Sequence, residues 1–506
     1  MKYLFHTLIF LSFLSLGPNA LADDPPQDAA QNGLTAADVQ TAVEAAAKSV
    51  NSTSMVIAVT NRKGEILAVF RQPDAPVTAI GNYSIPVDTN ELAVALARTA
   101  SFFSNDQAPL SSRTVRFISG VHFPPGIFFT SNADLYGIEN TNRGCSFNAA
   151  YNLGKDVPPA TLINGTSPGL GIITGKPDLF DKNQPPVDPI VNPGGVPIFK
   201  DGHIVGGVGV AGVPGPIAEY AAFQGAFAPG FGTGVPTPGV VVIGGIELPF
   251  VNQMTQPPGT NAGPLIGDYL QGWGPRDSSG PVPDGYLIGP RAGAALTEDD
   301  VRTIISNTID TANQTRAVIR LPVGRRAKFV IAIADLDGQL LAVNRMPDAT
   351  VFSIDVAVAK SRNVIYFSGD QRLPADLPGV PMKTAVTNRT ISYGAQPFFP
   401  VGIDYTQPGP FFDLFKLDTA NPCTQGFQTP SPYQNGIVFF PGSLPLYKNG
   451  VLVGGLGVSG DGVDQDDFAT AAGAKGFEAP PAIRADRIVI RNVRLPYQKF
   501  PRNPTK

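Results

Sequence analysis

The feature that most constrains this chain is that most of it is written twice. Leu34-Thr35-Ala36-Ala37-Asp38-Val39 is matched by Leu296-Thr297-Glu298-Asp299-Asp300-Val301. Gly64 to Val69, with Arg71 and Asp74, returns as Gly338 to Val343, with Arg345 and Asp348. Phe103-Ser104-Asn105-Asp106-Gln107 answers Phe367-Ser368-Gly369-Asp370-Gln371, and Arg113-Thr114 answers Arg389-Thr390. Pro197 to Gly202 becomes Pro445 to Gly450, and the glycine-rich run Gly206–Gly212 reappears as Gly454–Gly460. Ordered matches over such lengths are the mark of an internal duplication, and any fold assigned to one copy must serve the other.

Each copy reads as helix, hairpin, helix, long loop, hairpin and helix. Thr35 and Thr297 each precede an acidic residue by three positions, the capping-box pattern of a helix start. Met55 to Thr60 and Ile66 to Phe70 flank the turn Asn61-Arg62-Lys63-Gly64, and Phe329 to Ala334 and Leu340 to Asn344 do the same in the second copy. Glu91 to Phe103 and Ile354 to Phe367 read as helices, followed by a second hairpin and a short helix near 217–226 and 465–475. The order predicts an α/β fold of the α+β type: two antiparallel sheets flanked by helices, each a profilin-like three-layer module with a long loop insertion. Predicted boundaries are 33–255 for the first module, 256–292 for a Pro/Gly-rich linker holding the single tryptophan, Trp273, and 293–500 for the second.

The N-terminus predicts export. Lys2 precedes an apolar run from Leu4 to Leu16, and Ala20-Leu21-Ala22 offers a small-residue cleavage site, so 1–22 reads as a signal peptide. No later segment is apolar for the length of a bilayer crossing, which predicts a periplasmic or secreted protein with no membrane span. Removing Lys2 with the leader leaves 36 basic against 41 acidic residues. That balance argues against nucleic acid, which demands a basic face. Cys145 and Cys423, one per insertion, are too few for a cysteine-rich metal site. In an oxidising compartment a disulfide between them is the expectation if the two insertions meet across a pseudo-twofold axis; two buried thiols are the alternative.

Several motifs invite chemistry and have plainer readings. Gly207–Gly212 and Gly455–Gly460 match GxGxxG, but their glycines alternate with Val208, Val210, Leu456 and Val458, so they lie within a strand, where they suit close helix packing. Gly165-Thr166-Ser167-Pro168-Gly169 matches a nucleophile elbow by letter, yet Pro168 lacks the N–H an oxyanion hole needs. Asp461, Asp464, Asp466 and Asp467 precede an alanine-rich helix and read as its capping carboxylates. Arg71/Asp74 and Arg345/Asp348 share one spacing. An arginine past a strand end can clamp a carboxylate, or pair with the aspartate to fasten the loop; Arg113 and Arg389 admit the same two readings.

These motifs resemble the GlcG/HbpS family of heme-binding or heme-degrading-type proteins, related to the C-terminal domain of PduO-type proteins. The likeness rests on the Leu-Thr helix, the hairpin with Asp335-Leu336-Asp337-Gly338, Arg345 and Asp348, the helix Ala357 to Arg362 with Lys360, and the closing run Gly454–Gly460. The second copy is nearer the pattern; the first has Leu96 where the second has Lys360. The resemblance implies heme or a similar tetrapyrrole as ligand, with Arg71, Asp74, Arg113, Arg345, Asp348, Lys360 and Arg389 as candidate ligand-binding residues. His122 is the candidate heme-iron ligand, ahead of His203; Tyr393, Tyr366 and Lys360 are alternatives. The expected function is an exported heme-binding protein built as an intramolecular pseudo-dimer, more a binding protein than an enzyme. A loop-borne interaction module and an enzyme on a small carboxylate are the other readings, and a homo-oligomer stays open.

Overall fold

The computed structural model describes residues 33–118, 137–148, 171–175, 191–232, 241–243, 246–403 and 406–505. The predicted leader, His122 and the Gly165–Gly169 loop lie outside the described residues. In the first half, α1 (Ala36–Lys48) leads into the hairpin β1 (Val56–Asn61) and β2 (Ile66–Arg71). A short ribbon, β3 (Thr78–Ile80) and β4 (Pro86–Asp88), precedes α2 (Thr89–Phe103) and α3 (Ser112–Ile118). Then come β5 (Gly195–Lys200), β6 (His203–Ala211), α4 (Gly215–Ala226) and the small hairpin β7 (Val242–Ile243) and β8 (Ile246–Glu247). Two linker strands follow, β9 (Asp268–Tyr269) and β10 (Gly285–Ile288). The second half runs α5 (Glu298–Ala312), β11 (Phe329–Ala334), β12 (Leu340–Arg345), α6 (Phe352–Ser368), α7 (Asn388–Gly394), α8 (Phe412–Ala420), β13 (Ser443–Lys448), β14 (Val451–Gly460) and α9 (Val463–Gly473). It closes on the hairpin β15 (Val489–Ile490) and β16 (Val493–Arg494).

The two principal sheets have the same plan. Their orders are β5-β6-β1-β2-β9 and β13-β14-β11-β12-β10, every pairing antiparallel. Successive side chains of a strand face opposite ways, and both faces of these sheets are covered. Ile57 and Val59 join Val39, Val43, Ala221 and Ala222 of α1 and α4, while Val56 and Ala58 meet Leu92, Ala93 and Leu96 of α2. Both expected capping boxes form, Thr35 with Asp38 and Thr297 with Asp300. Each box is tied to its sheet by a lysine, Lys200 to Asp38 at 2.9 Å and Lys448 to Asp300 at 2.6 Å.

The glycine runs lie in strands, as their alternation predicts. A Cβ at Gly209 would stand 1.9 Å from the carbonyl oxygen of Ala93 in α2, and one at Gly457 would stand 2.2 Å from that of Ala357 in α6. Helix backbone rests directly on sheet backbone, and no larger residue fits between them.

The linker is structural. β9 pairs Tyr269 with Phe70 and Asp268 with Arg71, and β10 pairs Tyr286 with Asn344 and Gly285 with Arg345. Both are edge strands in equivalent places, and each leads into a Gly-Pro-Arg run, Gly274-Pro275-Arg276 and Gly289-Pro290-Arg291. β10 precedes its module and runs on into α5. β9 follows its module, and the chain after it returns to the start of α1: Ser278 N–H donates to Leu34 O at 2.8 Å and Ala36 N–H to Asp277 Oδ1 at 2.7 Å. The Tyr269–Trp273 stretch thereby gains a role, since Leu270 and Trp273 extend the ladder along Val69.

The halves share one core. Phe102, Phe103, Leu110 and Phe117 of the first half cluster with Phe352, Phe367 and Phe411 of the second. Cys145 and Cys423 form a disulfide that joins the two insertions. The contact is not reciprocal. The loop 346–352 of the second half is seated on the 102–107 segment of the first, whereas its counterpart, with Pro73, Asp74 and Val77, is exposed. No twofold axis relates the halves at this junction.

Candidate functional site

The repeated arginines are structural clamps. Arg345, almost wholly buried, donates from Nε to Ala349 O at 3.0 Å and from a terminal nitrogen to Pro283 O at 3.3 Å. Arg71 likewise reaches Ala75 O and, at 3.2 Å, Pro76 O, and meets Asn90 Oδ1 at 3.0 Å. Each fastens its own loop through carbonyls, so the expected Arg–Asp pairing within the loop does not form. Arg113 makes a two-pronged pair with Glu219, at 2.7 and 2.9 Å, that holds α3 to α4. Arg389 spans Asp467 and Asp464, both at 2.6 Å, and ties α7 to α9.

Asp348 works at the junction of the halves. Its carboxylate accepts from Arg320 at 2.6 Å and from the Asp106 N–H at 3.1 Å, with Arg62 at 3.6 Å. Arg320 also pairs with Asp461. Burial works against the Arg320 charge, but Asp461 and Asp348 outweigh it and hold the guanidinium above its ordinary pKa. Asp106 accepts in turn from Ile204 N–H at 2.9 Å and lies 2.8 Å from Nδ1 of His203.

Lys360 is fully enclosed, with Nζ donating to Val458 O at 2.7 Å and Asp466 Oδ2 at 3.0 Å. Burial lowers its pKa and pushes Asp466 up to about 7. The aspartate cluster therefore does not cap α9 as the sequence suggests; α9 has no side-chain cap. Asp461, Asp464, Asp466 and Asp467 instead serve as counter-ions to Arg320, Arg389 and Lys360. Buried cations attract carboxylates more strongly than a solvated helix end does.

None of these residues lines a cleft that opens in the second half. That cleft, about 300 Å³, lies between the β11–β12 turn, the C-terminal end of α6 and the insertion segment 425–434. Leu336 and Leu452 give it an apolar side; Asp337 and Asp370 stand exposed at its rim. Arg362 is the single guanidinium there, and all three of its nitrogens are engaged, by Gly338 O, Asn435 Oδ1 and Phe147 O. Tyr366 donates to Asp376 at 2.6 Å, and burial with that carboxylate raises its pKa, so the phenol stays protonated. Asp376 also accepts from Leu373 N–H at 2.8 Å and Phe427 N–H at 2.7 Å, which fixes the segment carrying Gln425. Gln425 is 3% exposed, and its Nε2 is buried without a hydrogen-bond partner. Sequence reasoning missed this residue because it sits in an insertion with no repeat-mate. The available signal was the density of glutamine just after Cys423: Gln425, Gln428 and Gln434.

A family model described as haem degrading protein HbpS-like matches residues 296–475. The second module is an HbpS-like domain. Among curated relatives, the corrinoid adenosyltransferase PduO of Salmonella typhimurium is 29% identical over 164 residues, 32% of this chain and 36% of the relative. That of Citrobacter freundii is 30% identical over 159 residues, 31% and 35% of the two chains. The chain thus spans about a third of the length of these relatives. Among solved structures, a PduOC:heme complex aligns at 20% identity and a TM-score of 0.23, covering 36% of this chain and 95% of that one. Klebsiella pneumoniae protein ORFY aligns at 18% and 0.24, covering 37% and 92%. A double mutant of Streptomyces reticuli HbpS aligns at 18% and 0.21, covering 36% and 88%. The HbpS-like match ends just past α9, and the same succession of helix, hairpin, helix, hairpin and helix, with the same sheet plan, is found in the first half.

Proposed function

We propose that this chain is an exported protein that binds heme or a kindred tetrapyrrole, built as a pair of HbpS-like modules in one polypeptide. The observation that carries this reading is the HbpS-like match over residues 296–475, which takes in β11 to β14 of the second module's sheet. Export is supported by the Lys2-to-Ala22 leader pattern. The second module's cleft does not suit heme. Among the described residues no imidazole lines it, its guanidinium is fully engaged, its phenol Tyr366 is held protonated, and about 300 Å³ is the lower end of ligand-pocket sizes. The two imidazoles outside the leader, His122 and His203, suit heme better, and both belong to the first module. Neutral imidazole is a strong axial ligand for heme iron. His203 has a carboxylate, Asp106, on Nδ1, the arrangement that orients Nε2 of a metal-binding histidine. His122 is the second candidate.

The test is a hemin titration of the full chain without its leader, followed by absorbance, with His122→Ala and His203→Ala alongside. A saturable Soret shift near one equivalent, weakened in one variant, is expected. A shift no larger than that of an unrelated protein would remove the heme reading. Fractionation of cells expressing the full chain tests export, which predicts recovery outside the cytoplasm.

A further inference from the structure

The contact that joins the two halves uses each of its surfaces once, although the duplication supplies each surface twice. The loop 346–352 of the second half sits on the first half. Asp348 accepts from the Asp106 N–H at 3.1 Å and stands 3.6 Å from Arg62. The Val351 N–H donates to Phe102 O at 3.1 Å, and Phe352 stacks on Phe103 with ring centroids 4.0 Å apart. A contact between two unlike surfaces leaves the repeat of each one unused. We infer that the two unused surfaces meet between chains: the 73–85 segment of one copy enters the second-half cleft of another, and the protein associates head to tail with itself.

The cleft is the repeat of the seat. Its lining residues Leu336, Tyr366, Gly369, Asp370 and Gln371 stand where the first half has Arg62, Phe102, Asn105, Asp106 and Gln107. Arg98 and Arg362 fix this register, since each donates from Nε to the equivalent carbonyl, of Gly64 and of Gly338. In the first half all five positions are hydrogen-bonded or ion-paired to the second half, through Asp348, Val351, Ile319 or Arg320. In the second half the same place is an open cleft.

The 73–85 segment begins as the repeat of the guest. Asp74 and Val77 answer Asp348 and Val351, yet Val351 is 2% exposed and Val77 is 74% exposed. The β3–β4 ribbon follows, where the second half passes through one loop from β12 to α6, and it adds Ile80 and Ile85, both exposed.

The two surfaces also match in chemistry. The occupied seat carries Arg62 and His203 and receives a carboxylate. The cleft has Leu336 and Val451 at those positions, both exposed, and exposed Leu373 and Phe427 adjoin its lining residues in sequence. Apolar side chains gathered around a concavity mark an interaction surface, and Val77 with Ile80 and Ile85 is a guest of the same character. Asp74 arrives near Asp337 and Asp370, with Lys383 3.4 Å from Asp370. Apolar burial rather than charge therefore holds the contact, and salt should not weaken it. The smallest assembly that fills every cleft is a ring of two chains.

The experiment is sedimentation velocity of the full chain without its leader, from about 1 to 100 µM, the span in which modest interfaces form. The mass should rise to about twice that of one chain, or a higher multiple, and should hold at high salt. Val77→Asp on the guest and Leu336→Asp in the cleft should each weaken association about tenfold or more, because each buries an unpaired carboxylate. Both positions are exposed in the single chain, so melting temperatures should stay close to the parent's. Mixing the variants decides the geometry. Val77→Asp keeps an intact cleft and Leu336→Asp an intact guest, so the mixture should recover a dimer joined by one contact. Should either variant fold poorly, Ile85→Asp and Val451→Asp take their places. The inference is overturned if the parent stays monomeric throughout, if salt disperses the assembly, or if a single variant associates as the parent does. It is also overturned if the mixture associates no better than its components, the result expected of a symmetric patch.

Discussion

Lys360 and Asp466 form an enclosed ion pair at 3.0 Å, and the equivalent positions of the first half hold Leu96 and Ala218. The correspondence is fixed by the neighbouring pairs Arg389–Asp467 and Arg113–Glu219, which occupy the same place in the two modules. One fold thus tolerates either a charged or an apolar solution at one buried point. Removing one partner strands the other charge, so Lys360→Leu or Asp466→Ala alone should cost about 3–5 kcal/mol. The double variant, which copies the first half, should recover most of that loss. Urea unfolding of the four proteins gives the coupling directly; additive losses would show that the pair is not coupled.

Asp348 and Asp74 are repeat-mates in different circumstances. Asp348→Ala leaves Arg320, with a side chain 1% exposed, short of a counter-ion and frees the Asp106 N–H. It should destabilise the protein by roughly 2–5 kcal/mol. Asp74 is exposed, and Asp74→Ala should lie within about 0.5 kcal/mol of the parent. Thermal melts of the two variants side by side check both values.

Asp418 carries a pH dependence. It is buried, accepting from Ile437 N–H and Asn140 Nδ2, both at 2.9 Å, and burial pushes its pKa up to about 7 despite Arg143, with Asp355 adding to the rise. Burial also raises Asp355, to about 6. A carboxyl with a folded pKa above its unfolded value holds more protons in the folded state between the two. Its contribution to stability is therefore full at acid pH and is lost as pH rises from about 4 toward 7. Asp418→Asn should flatten that part of the stability profile, measured as urea midpoints from pH 4 to 8. An unchanged slope would exclude Asp418 as its source.

The disulfide closes a loop between residues 278 apart in sequence. Cys145→Ser with Cys423→Ser should lower stability by about 2–5 kcal/mol, and reduction of the parent should do the same. Because Cys423 lies two residues before Gln425, the loss should be accompanied by faster hydrogen exchange at 424–428. Exchange unchanged there would mean that Asp376 alone holds the segment.

Much of the fold is legible in the residues. The threonine–aspartate boxes, the alternating hairpins and the glycines spaced by valine and leucine each have one good local solution, and the duplication states each of them twice. The site was much less so. Arg71/Asp74 and Arg345/Asp348 share a spacing because the arginine clamps its own loop, which left the aspartate free to diverge, exposed in one half and at the junction in the other. Gln425 stands in an insertion, where no periodicity applies, and its significance is a missing partner, which only three dimensions reveal. β9 escaped notice because two residues, Asp268 and Tyr269, cannot display a pattern.

The first sheet's outer edge is completed by β9, more than fifty residues after β6. A chain made from its N-terminus therefore cannot finish that sheet until the linker has been synthesised. Stopped near residue 255, it would present the backbone edge of β2 to its surroundings, an invitation to pair with other chains. Under the export proposed above, late closure would be an advantage, since the leading half of a chain crossing unfolded would stay incomplete until most of its own length had passed.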